Sequence, residues 1–251
     1  MSQAPYIPVM AGNAISKAAT NMAGDDTGDH ISEKNKYYSE LTGTYWIWKN
    51  TYQNIVGVVH YRRFLTNKPE PVSYKLKREL YRLVGIHYKR HGLIYTNNIR
   101  QFKEFVLNET EIQDLLEHHD VIMPTRRKLK YTVRVHYERY HHAKDLELLR
   151  TIIKEKYPLY EHAFEQVLNK KELFANNMFI MKRADFDHCS SWLFDLLFEF
   201  EKRVQLADYH GYQERILGFI AERLLNVWLV HEQLKIVELP VIYFKHFKFV
   251  K

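Results

Sequence analysis

The segment Ile55–Phe64, IVGVVHYRRF, constrains the fold most strongly. Its first half combines β-branched residues with a glycine, which is typical of a strand covered on both faces in a parallel sheet. At His60, Tyr61, Arg62 and Arg63 the run changes to polar and cationic side chains. Ligands of open α/β sheets bind outside the carboxyl ends of the strands, so the two arginines predict a site for an anion such as phosphate. The alternative is an ordinary strand followed by a solvated basic turn.

An acidic loop precedes this strand. Asp25, Asp26 and Asp29 lie close together around Thr27 and Gly28, a pattern that fits neither a helix interior nor a central strand. Ionised carboxylates only accept hydrogen bonds, so such a loop suits the hydroxyls of a sugar, a ribose or a divalent cation. A solvated turn with Asx caps is the alternative.

Two further apolar runs predict buried strands, at Asp120–Pro124 and Leu173–Met181. A basic loop, Thr125–Arg139, follows the first run and predicts either a site for pyrophosphate or anionic lipid headgroups, or a solvated face. The second run places Asn176 and Asn177 inside a strand. Buried amides without partners cost about 1–3 kcal/mol each, so these two are either structural residues at a sheet edge or substrate contacts.

Apolar stripes at helical spacing predict helices between the strands, chiefly at Lys36–Asn50, Ala184–Arg203 and Gly211–Gln233. The alternation of helices and strands favours an α/β fold. With 251 residues, of which 46% are hydrophobic, the chain can form one domain, 1–251, with a helical insertion at about 73–118.

Composition narrows the classes of partner. A net charge of +7 favours anionic partners, and the lone Cys189 fits a reducing cytoplasm. No apolar run approaches the ~18 residues that span a bilayer. Walker A, GxGxxG, serine-elbow and zinc-finger patterns are missing, as are RNA-binding aromatic motifs, so we expect no nucleic-acid partner.

Three histidines, His136, His141 and His142, lie near Asp145. A zinc site would need two histidines at helical i, i+4 spacing together with a third ligand, and neither an HExxH nor a paired-cysteine element is present. We therefore expect no structural metal. Two interpretations remain for these histidines: they form hydrogen bonds to a polar ligand, or they are simple surface residues.

Several motifs together resemble a known family. In order along the chain they are GDDTGDHISEKN, ELTGTYWIWKN, IVGVVHYRRF, FANNMFIM and GFIAERLLNVW. This combination resembles bacterial galactofuranosyltransferases of capsule, exopolysaccharide and O-antigen synthesis, a family long labelled as a domain of unknown function. The resemblance covers about Tyr6 to Phe244. It implies a GT-A-like fold with a central, mostly parallel sheet flanked by helices, a UDP-galactofuranose donor and a lipid-linked glycan acceptor. From the resemblance we expect the first strand with which the family usually opens to be missing from this sequence.

The resemblance also allows a comparison with GT-A enzymes in general. Most of them use a divalent metal to neutralise the donor diphosphate, whereas the comparable strand of this chain ends in cationic side chains. We therefore expect no divalent metal, with Mn or Mg as the alternative. If the enzyme needs one, the ligand candidates are Asp25, Asp26 and Asp29. The expected donor-binding residues are Asp25, Asp26, Thr27, His60, Arg62 and Arg63.

An inverting transferase also needs a carboxylate base for the acceptor hydroxyl. Glu222 is the first candidate for this base and Asp29 is the second. Asn177 and His142 are expected to bind the acceptor. The Arg126–Arg139 run and the HFKFVK ending suggest peripheral contact with an anionic membrane on its cytoplasmic face. The alternatives are a transferase for another UDP-hexose, or a non-catalytic module that binds a nucleotide or a glycan.

Overall fold

The computed structural model describes residues 5–16, 21–83 and 93–245 of the chain. The strands are β1 (Val9–Met10), β2 (Ala23–Gly24), β3 (Ile55–Val58), β4 (Arg63–Leu65), β5 (Leu93–Thr96), β6 (Val121–Pro124), β7 (Arg127–Lys128), β8 (Glu172–Leu173), β9 (Phe179–Lys182), β10 (Ile236–Leu239) and β11 (Val241–Phe244). The helices are α1 (Asn35–Tyr38), α2 (Leu41–Asn50), α3 (Val72–Leu83), α4 (Ile99–Phe102), α5 (Glu109–His118), α6 (Val133–Tyr140), α7 (Ala143–Lys156), α8 (Glu161–Asn169), α9 (Arg183–Arg203) and α10 (Ile216–His231).

The central sheet has the strand order β10-β6-β9-β3. β10 is parallel to β6, and β9 runs antiparallel to both of its neighbours, so β3, β6 and β10 share one direction. β6 is buried along its whole length, as its apolar run predicts. Helices cover this sheet, and the predicted α/β class is confirmed.

The position of β3 differs from the prediction. It lies at the edge of the central sheet and pairs only with β9 among the described strands, with Gly57 opposite Ile180. Ile55 and Val58 are half-buried and Gly57 is exposed. The prediction of a strand covered on both faces of a parallel sheet is therefore wrong, because a run of β-branched residues does not by itself distinguish a central strand from an edge strand.

A second sheet has the order β4-β11-β5. Pro240 separates β10 from β11 and has no N–H to continue a ladder, so the chain leaves the central sheet there and enters the second one. The carbonyl of Pro240 accepts a hydrogen bond from the Thr66 N–H at 3.1 Å. Because β5 belongs to this sheet, the predicted helical insertion at 73–118 also contains a strand.

The helices predicted at 184–203 and 211–233 are confirmed as α9 and α10. Together with β6 and β9 they form the main hydrophobic core, which includes Leu224 and Trp228 of α10 and Cys189 of α9. The predicted helix at 36–50 is instead two helices, α1 and α2, which are separated at Ser39 by a left-handed backbone with φ 53°.

The acidic loop is tied to its surroundings by hydrogen bonds. Asp25 is fully buried. Its carboxylate accepts hydrogen bonds from the backbone N–H groups of Gly12 and Asn13, both at 2.9 Å, and from Ser32 Oγ at 2.5 Å. Burial raises the pKa of the Asp25 carboxyl, but hydrogen bonds from Ser32, Thr42, Gly12 and Asn13 outweigh burial and hold the pKa below its usual value. Asp25 thus joins the loop to the start of the chain.

We expect Asp25→Ala to lower the free energy of unfolding by about 3 kcal/mol, because it leaves several buried donors without an acceptor. Asp25→Asn removes the charge of the side chain but nearly keeps its shape, so it isolates the contribution of the charge to stability. Since the folded pKa is depressed, the ionised form stabilises the fold above the unfolded value of about 3.9, and this contribution is lost as the pH falls through the folded pKa. Wild type should therefore exceed Asp25→Asn in stability at pH 7 and approach it in acid.

Urea unfolding followed by circular dichroism measures both effects. Asp26→Ala is the matched control, because the half-buried Asp26 accepts a hydrogen bond from the Asn13 side chain at 2.9 Å and not from these backbone groups. Equal midpoints for Asp25→Ala, Asp26→Ala and wild type would contradict the structural role of Asp25.

Candidate functional site

A cleft of about 270 Å³ opens at one edge of the central sheet. His60, Thr125 and Val241 line it, and they follow the carboxyl ends of β3, β6 and β10, the three strands that share one direction. This is the edge at which open α/β sheets bind ligands. The other lining residues are Glu40, Arg63, Leu93, Pro124, Arg127, His136, His141, Ala175, Asn176, Asn177, Tyr212, Arg215, Gly218, Phe219, Glu222 and Arg223.

Asn176 and Asn177 form a turn at the base of this cleft. Their φ angles are 80° and 47°, so both residues adopt the left-handed conformation. The prediction that they lie inside a strand is wrong, because β8 ends at Leu173 and β9 begins only at Phe179. Asparagine tolerates this conformation better than most residues, since its short polar side chain makes local hydrogen bonds.

Asn176 connects three residues of the site. Its backbone N–H donates to Glu222 Oε1 at 2.6 Å, and its carbonyl accepts from His60 Nε2 at 2.6 Å. Its side-chain Oδ1 accepts from Arg63 Nη1 at 3.1 Å. One turn residue therefore positions the predicted base and two of the predicted donor-binding residues.

Asn177 is buried and binds two other elements. Its Nδ2 donates to Glu40 Oε1 at 3.0 Å and to the carbonyl of Gly218 in α10 at 3.2 Å. Glu40 also accepts from Arg215 Nη2 at 3.2 Å. The break at Ser39 between α1 and α2 places Glu40 just before α2, where it lines the cleft.

The two adjacent arginines of the β3–β4 turn have different surroundings. The N–H of Arg63 donates to the carbonyl of His60 at 2.9 Å and closes the turn. Arg63 lines the cleft, whereas Arg62 does not. The Arg62 guanidinium donates to the carbonyl of Lys245 at 3.2 Å and stacks on Tyr61 and Tyr243. Arg62 belongs to the turn and Arg63 is the first residue of β4, and although both guanidinium groups lie over the Tyr243 ring, only Arg63 of the predicted pair lines the site.

Arg223 is a buried cation in the wall of the cleft. Its side chain is 3% exposed. Nη1 donates to Glu222 Oε2 at 2.8 Å and to the carbonyl of Phe219 at 3.0 Å. Its Nε is buried and, among the described residues, has no hydrogen-bond partner. A buried guanidinium with an unused donor is costly unless a ligand group binds it, so this atom indicates an anion or a polar oxygen in the cleft.

The histidines of the cleft are neutral near pH 7. Burial, followed by the charges of Arg223 and Arg127, lowers the pKa of His136 to about 4. Burial, with a further lowering from Arg223, brings the pKa of His141 to about 4. Burial also lowers the pKa of His60, and its Nε2 must carry a proton because it donates to a carbonyl.

The formal charge of the cleft is therefore +2, from four arginines against two glutamates. Arg63 and Arg127 have no carboxylate within ion-pair distance among the residues that the structure describes. Four guanidinium groups with a surplus of positive charge suit a phosphate-bearing ligand.

An aromatic wall borders one side of the cleft. We use this name for Tyr212, Phe219 and His141, whose rings lie 4.9 Å (Tyr212 to Phe219) and 4.2 Å (His141 to Phe219) apart between centroids. Tyr212 is 65% exposed, so its ring is accessible at the rim. His141 Nδ1 lies 2.9 Å from Gln213 Oε1, which fixes the orientation of its ring.

The acidic loop lies outside the lining of the cleft. Besides Asp25, Asp26 accepts from the Asn13 side chain, and both oxygens of Thr27 accept from Trp46 Nε1 at 3.0 Å. Asp29 accepts from the Tyr45 hydroxyl at 3.0 Å. These four predicted residues therefore hold the loop against α2 and the start of the chain.

His142 is also outside the lining of the cleft. It is exposed and packs edge-to-face on Tyr209, and its neighbour His141 lines the cleft in its place. Across residues 5–16, 21–83 and 93–245, no three His, Cys, Asp or Glu side chains converge as a metal site. Metal independence stays a prediction.

Sequence reasoning missed several residues of the cleft. Arg215 and Arg223 could have been recognised from the sequence, because each directly follows a glutamate, and these charged pairs interrupt an otherwise apolar helical pattern. Glu40 had no local signal, since its position depends on the break at Ser39. Tyr212 likewise reaches the cleft only through the tertiary fold, whereas Arg127 belongs to the basic loop for which a pyrophosphate site is one of the predictions.

Comparison with protein families identifies the chain. Residues 1–233 match the family model described as Domain of unknown function (DUF4422). The chain belongs to this DUF4422 family. No curated protein matches it.

A solved structure has the same fold as this DUF4422 chain. It is the apo structure of the WbbM bifunctional glycosyltransferase, with 31% sequence identity and a TM-score of 0.84. The alignment covers 98% of the DUF4422 chain and 43% of the WbbM chain, so this chain spans less than half of that protein. The mixed α/β fold predicted from the sequence is thus the fold of part of a known glycosyltransferase.

Substitutions at Asn176 test the role of the left-handed turn. We expect Asn176→Ala to be less stable than Asn176→Gly by about 1 kcal/mol, because an alanine at φ 80° is strained and a glycine is not. Urea midpoints measure this difference. The control is Asn169, the last residue of α8, whose φ is not positive, so glycine should gain no such advantage over alanine there. Equal stability of the two Asn176 variants would contradict the turn.

Proposed function

We propose that this protein is a glycosyltransferase that moves galactofuranose from UDP-galactofuranose to a lipid-linked glycan acceptor in bacterial cell-surface polysaccharide synthesis. The observation that carries the proposal is the arginine-rich cleft at the carboxyl edge of the central sheet, with its formal charge of +2. A chain with this cleft shares its fold with part of a bifunctional glycosyltransferase. The choice of galactofuranose rests on the motifs that resemble the galactofuranosyltransferases, and another UDP-hexose is the alternative.

On the donor side, the diphosphate binds to the guanidinium groups of Arg63 and Arg223. Arg63 is held by Asn176 and has no carboxylate partner among the described residues, while Arg223 offers its unused Nε. As the bond between the anomeric carbon and the phosphate oxygen breaks, UDP leaves with the bonding electrons. Fixed cations stabilise the charge that develops there, so the proposed reaction needs no divalent metal.

On the acceptor side, Glu222 takes the proton of the attacking hydroxyl. Its two oxygens accept one hydrogen bond each, from Asn176 N–H and Arg223 Nη1. An ionised carboxylate has about four lone-pair sites, so capacity for the hydroxyl remains. Asn177 lines the same cleft, and the aromatic wall supplies an apolar face on which the acceptor sugar packs.

The proposed substrates place the protein in the cytoplasm, at the inner face of the membrane that holds the lipid-linked acceptor. No helix in the described part of the chain is both long and apolar enough to cross a bilayer. Contact with the membrane is therefore proposed as peripheral.

A panel of UDP-sugars with a synthetic lipid-linked acceptor tests the function, with product detected by mass spectrometry. We expect product from UDP-galactofuranose, in EDTA as well as without it. Product from another UDP-hexose alone would replace the donor assignment. UDP binding without product from any donor would support the non-catalytic module. Loss of activity in EDTA, restored by manganese, would contradict the role given to the arginines.

Two substitutions in the cleft test the mechanism. We expect Arg63→Ala to lower kcat about 10²–10³-fold, as for the loss of a fixed group that stabilises developing charge. Glu222→Gln should lower kcat about 10²–10⁴-fold, since a glutamine cannot take the hydroxyl proton. Initial rates at saturating donor and acceptor measure both effects.

Arg62→Ala is the matched control. It removes the same charge from the same turn, but the Arg62 side chain binds the Lys245 carbonyl outside the cleft. We expect its rate to stay within about threefold of wild type, as for a surface charge outside the site. Equal losses for Arg62→Ala and Arg63→Ala would mean that general positive charge matters and the specific cleft does not. Wild-type turnover of Glu222→Gln would remove Glu222 as the base.

A further inference from the structure

Helix α3 exposes an apolar stripe. We use this name for Val72, Leu76, Leu80 and Leu83, which are 71%, 61%, 59% and 83% exposed. With 3.6 residues per turn, their spacing puts them within an arc of about 80° on one side of the helix. Soluble proteins rarely expose a contiguous apolar surface of this kind without a function for it.

The opposite side of α3 is anchored to the protein. The Tyr74 ring packs edge-to-face on Phe102, with 5.0 Å between centroids, and its hydroxyl lies 3.1 Å from Thr96 Oγ1. The carbonyl of Pro71 accepts the N–H groups of Tyr74 and Lys75 at the start of the helix. These contacts set the rotation of the helix, so the apolar stripe faces solvent.

The sequence of α3 is also strongly basic. VSYKLKRELYRL contains Lys75, Lys77, Arg78 and Arg82 against one acidic residue, Glu79. An exposed apolar stripe on a cationic helix is typical of helices that lie in the plane of a membrane interface. An apolar stripe alone would suit a protein partner equally well, whereas the surplus of positive charge complements anionic headgroups.

The basic run at 126–139 is less suited to this role. Arg126 pairs with Glu172 and Glu238, both at 3.3 Å. Arg134 pairs with Glu147 at 3.5 Å and with Glu165 at 2.9 Å. Arg127 lines the cleft, and the HFKFVK ending lies outside the described residues.

We infer that α3 is the membrane-docking element of this protein, and that its apolar stripe inserts among the headgroups of an anionic bilayer. α3 follows β4 along the chain, and β4 begins at Arg63 of the cleft. Val72, the first residue of α3, follows Arg63 by nine positions, which the chain spans in at most about 30 Å. If the proposed function holds, docking of α3 keeps the cleft within that reach of the surface where the lipid-linked acceptor lies.

Vesicle co-sedimentation of the full chain tests the inference. We expect wild type to bind vesicles made of equal parts phosphatidylcholine and phosphatidylglycerol, and to bind phosphatidylcholine alone much more weakly. Replacing Leu76 and Leu80 together by Asp should weaken binding at least about tenfold, because apolar burial and attraction to anionic lipid are both reduced. Higher salt should weaken wild-type binding as well.

Leu159→Asp is the matched control, since Leu159 is 81% exposed but lies on a short 3-10 turn away from α3. It should bind vesicles like wild type. Urea unfolding of each variant shows whether its fold is intact. If the double Asp variant does not fold, the milder double variant Leu76→Ser and Leu80→Ser replaces it, and the same loss of vesicle binding is expected.

Three results would overturn the inference. The first is failure of wild type to bind either kind of vesicle, and the second is equal binding of wild type and the α3 variants. The third is a wild-type dimer in light scattering that the α3 variants abolish. That dimer would identify a second copy of the chain as the partner of α3. Glycosyl transfer activity is measured separately, with a water-soluble acceptor. Activity there without vesicle binding removes only this inference, whereas vesicle binding without activity removes only the proposed function.

Discussion

Two consecutive left-handed asparagines hold the site together. Asn176 and Asn177 bind groups from the β3–β4 turn, from Glu40 and from α10, which are far apart along the chain. A left-handed backbone costs about 1–2 kcal/mol per residue, and it persists only where surrounding contacts determine it. Here five hydrogen bonds to the two residues offset that cost. The turn also fixes where β9 starts, so the geometry of the cleft and the register of the central sheet depend on the same two residues.

The electrostatics of the cleft follow from burial. Arg223 is held in the wall by Glu222 and Phe219, so a cation is kept at a place that water barely reaches. Burial of His136 and His141, with a smaller effect of the Arg223 charge, lowers the pKa of both imidazoles and keeps them neutral, which lets them form hydrogen bonds without adding charge. The surplus of positive charge therefore comes from arginines, whose charge does not change near neutral pH. A site of this kind binds an anionic group over a wide pH range.

The sequence predicts part of this arrangement. Long apolar periodicities identified α9 and α10, and a continuous apolar run identified β6, because burial dominates in those segments. β3 has an equally apolar run but lies at an edge, and such runs carry no information on neighbours. The amides of Asn176 and Asn177 looked like polar residues within a strand, since φ cannot be read from composition. Arg63 and Glu222 line the cleft as their predicted roles require, whereas Arg62, His142 and the acidic loop do not.

A structure of the protein in complex with UDP tests the account most directly. The account predicts the diphosphate in the cleft, with its oxygens within hydrogen-bond distance of the Arg63 guanidinium and of Arg223 Nε. The Asn176–Asn177 turn should keep its left-handed conformation in the complex. A nucleotide bound instead at the acidic loop of Asp25–Asp29, with the cleft empty, would contradict it.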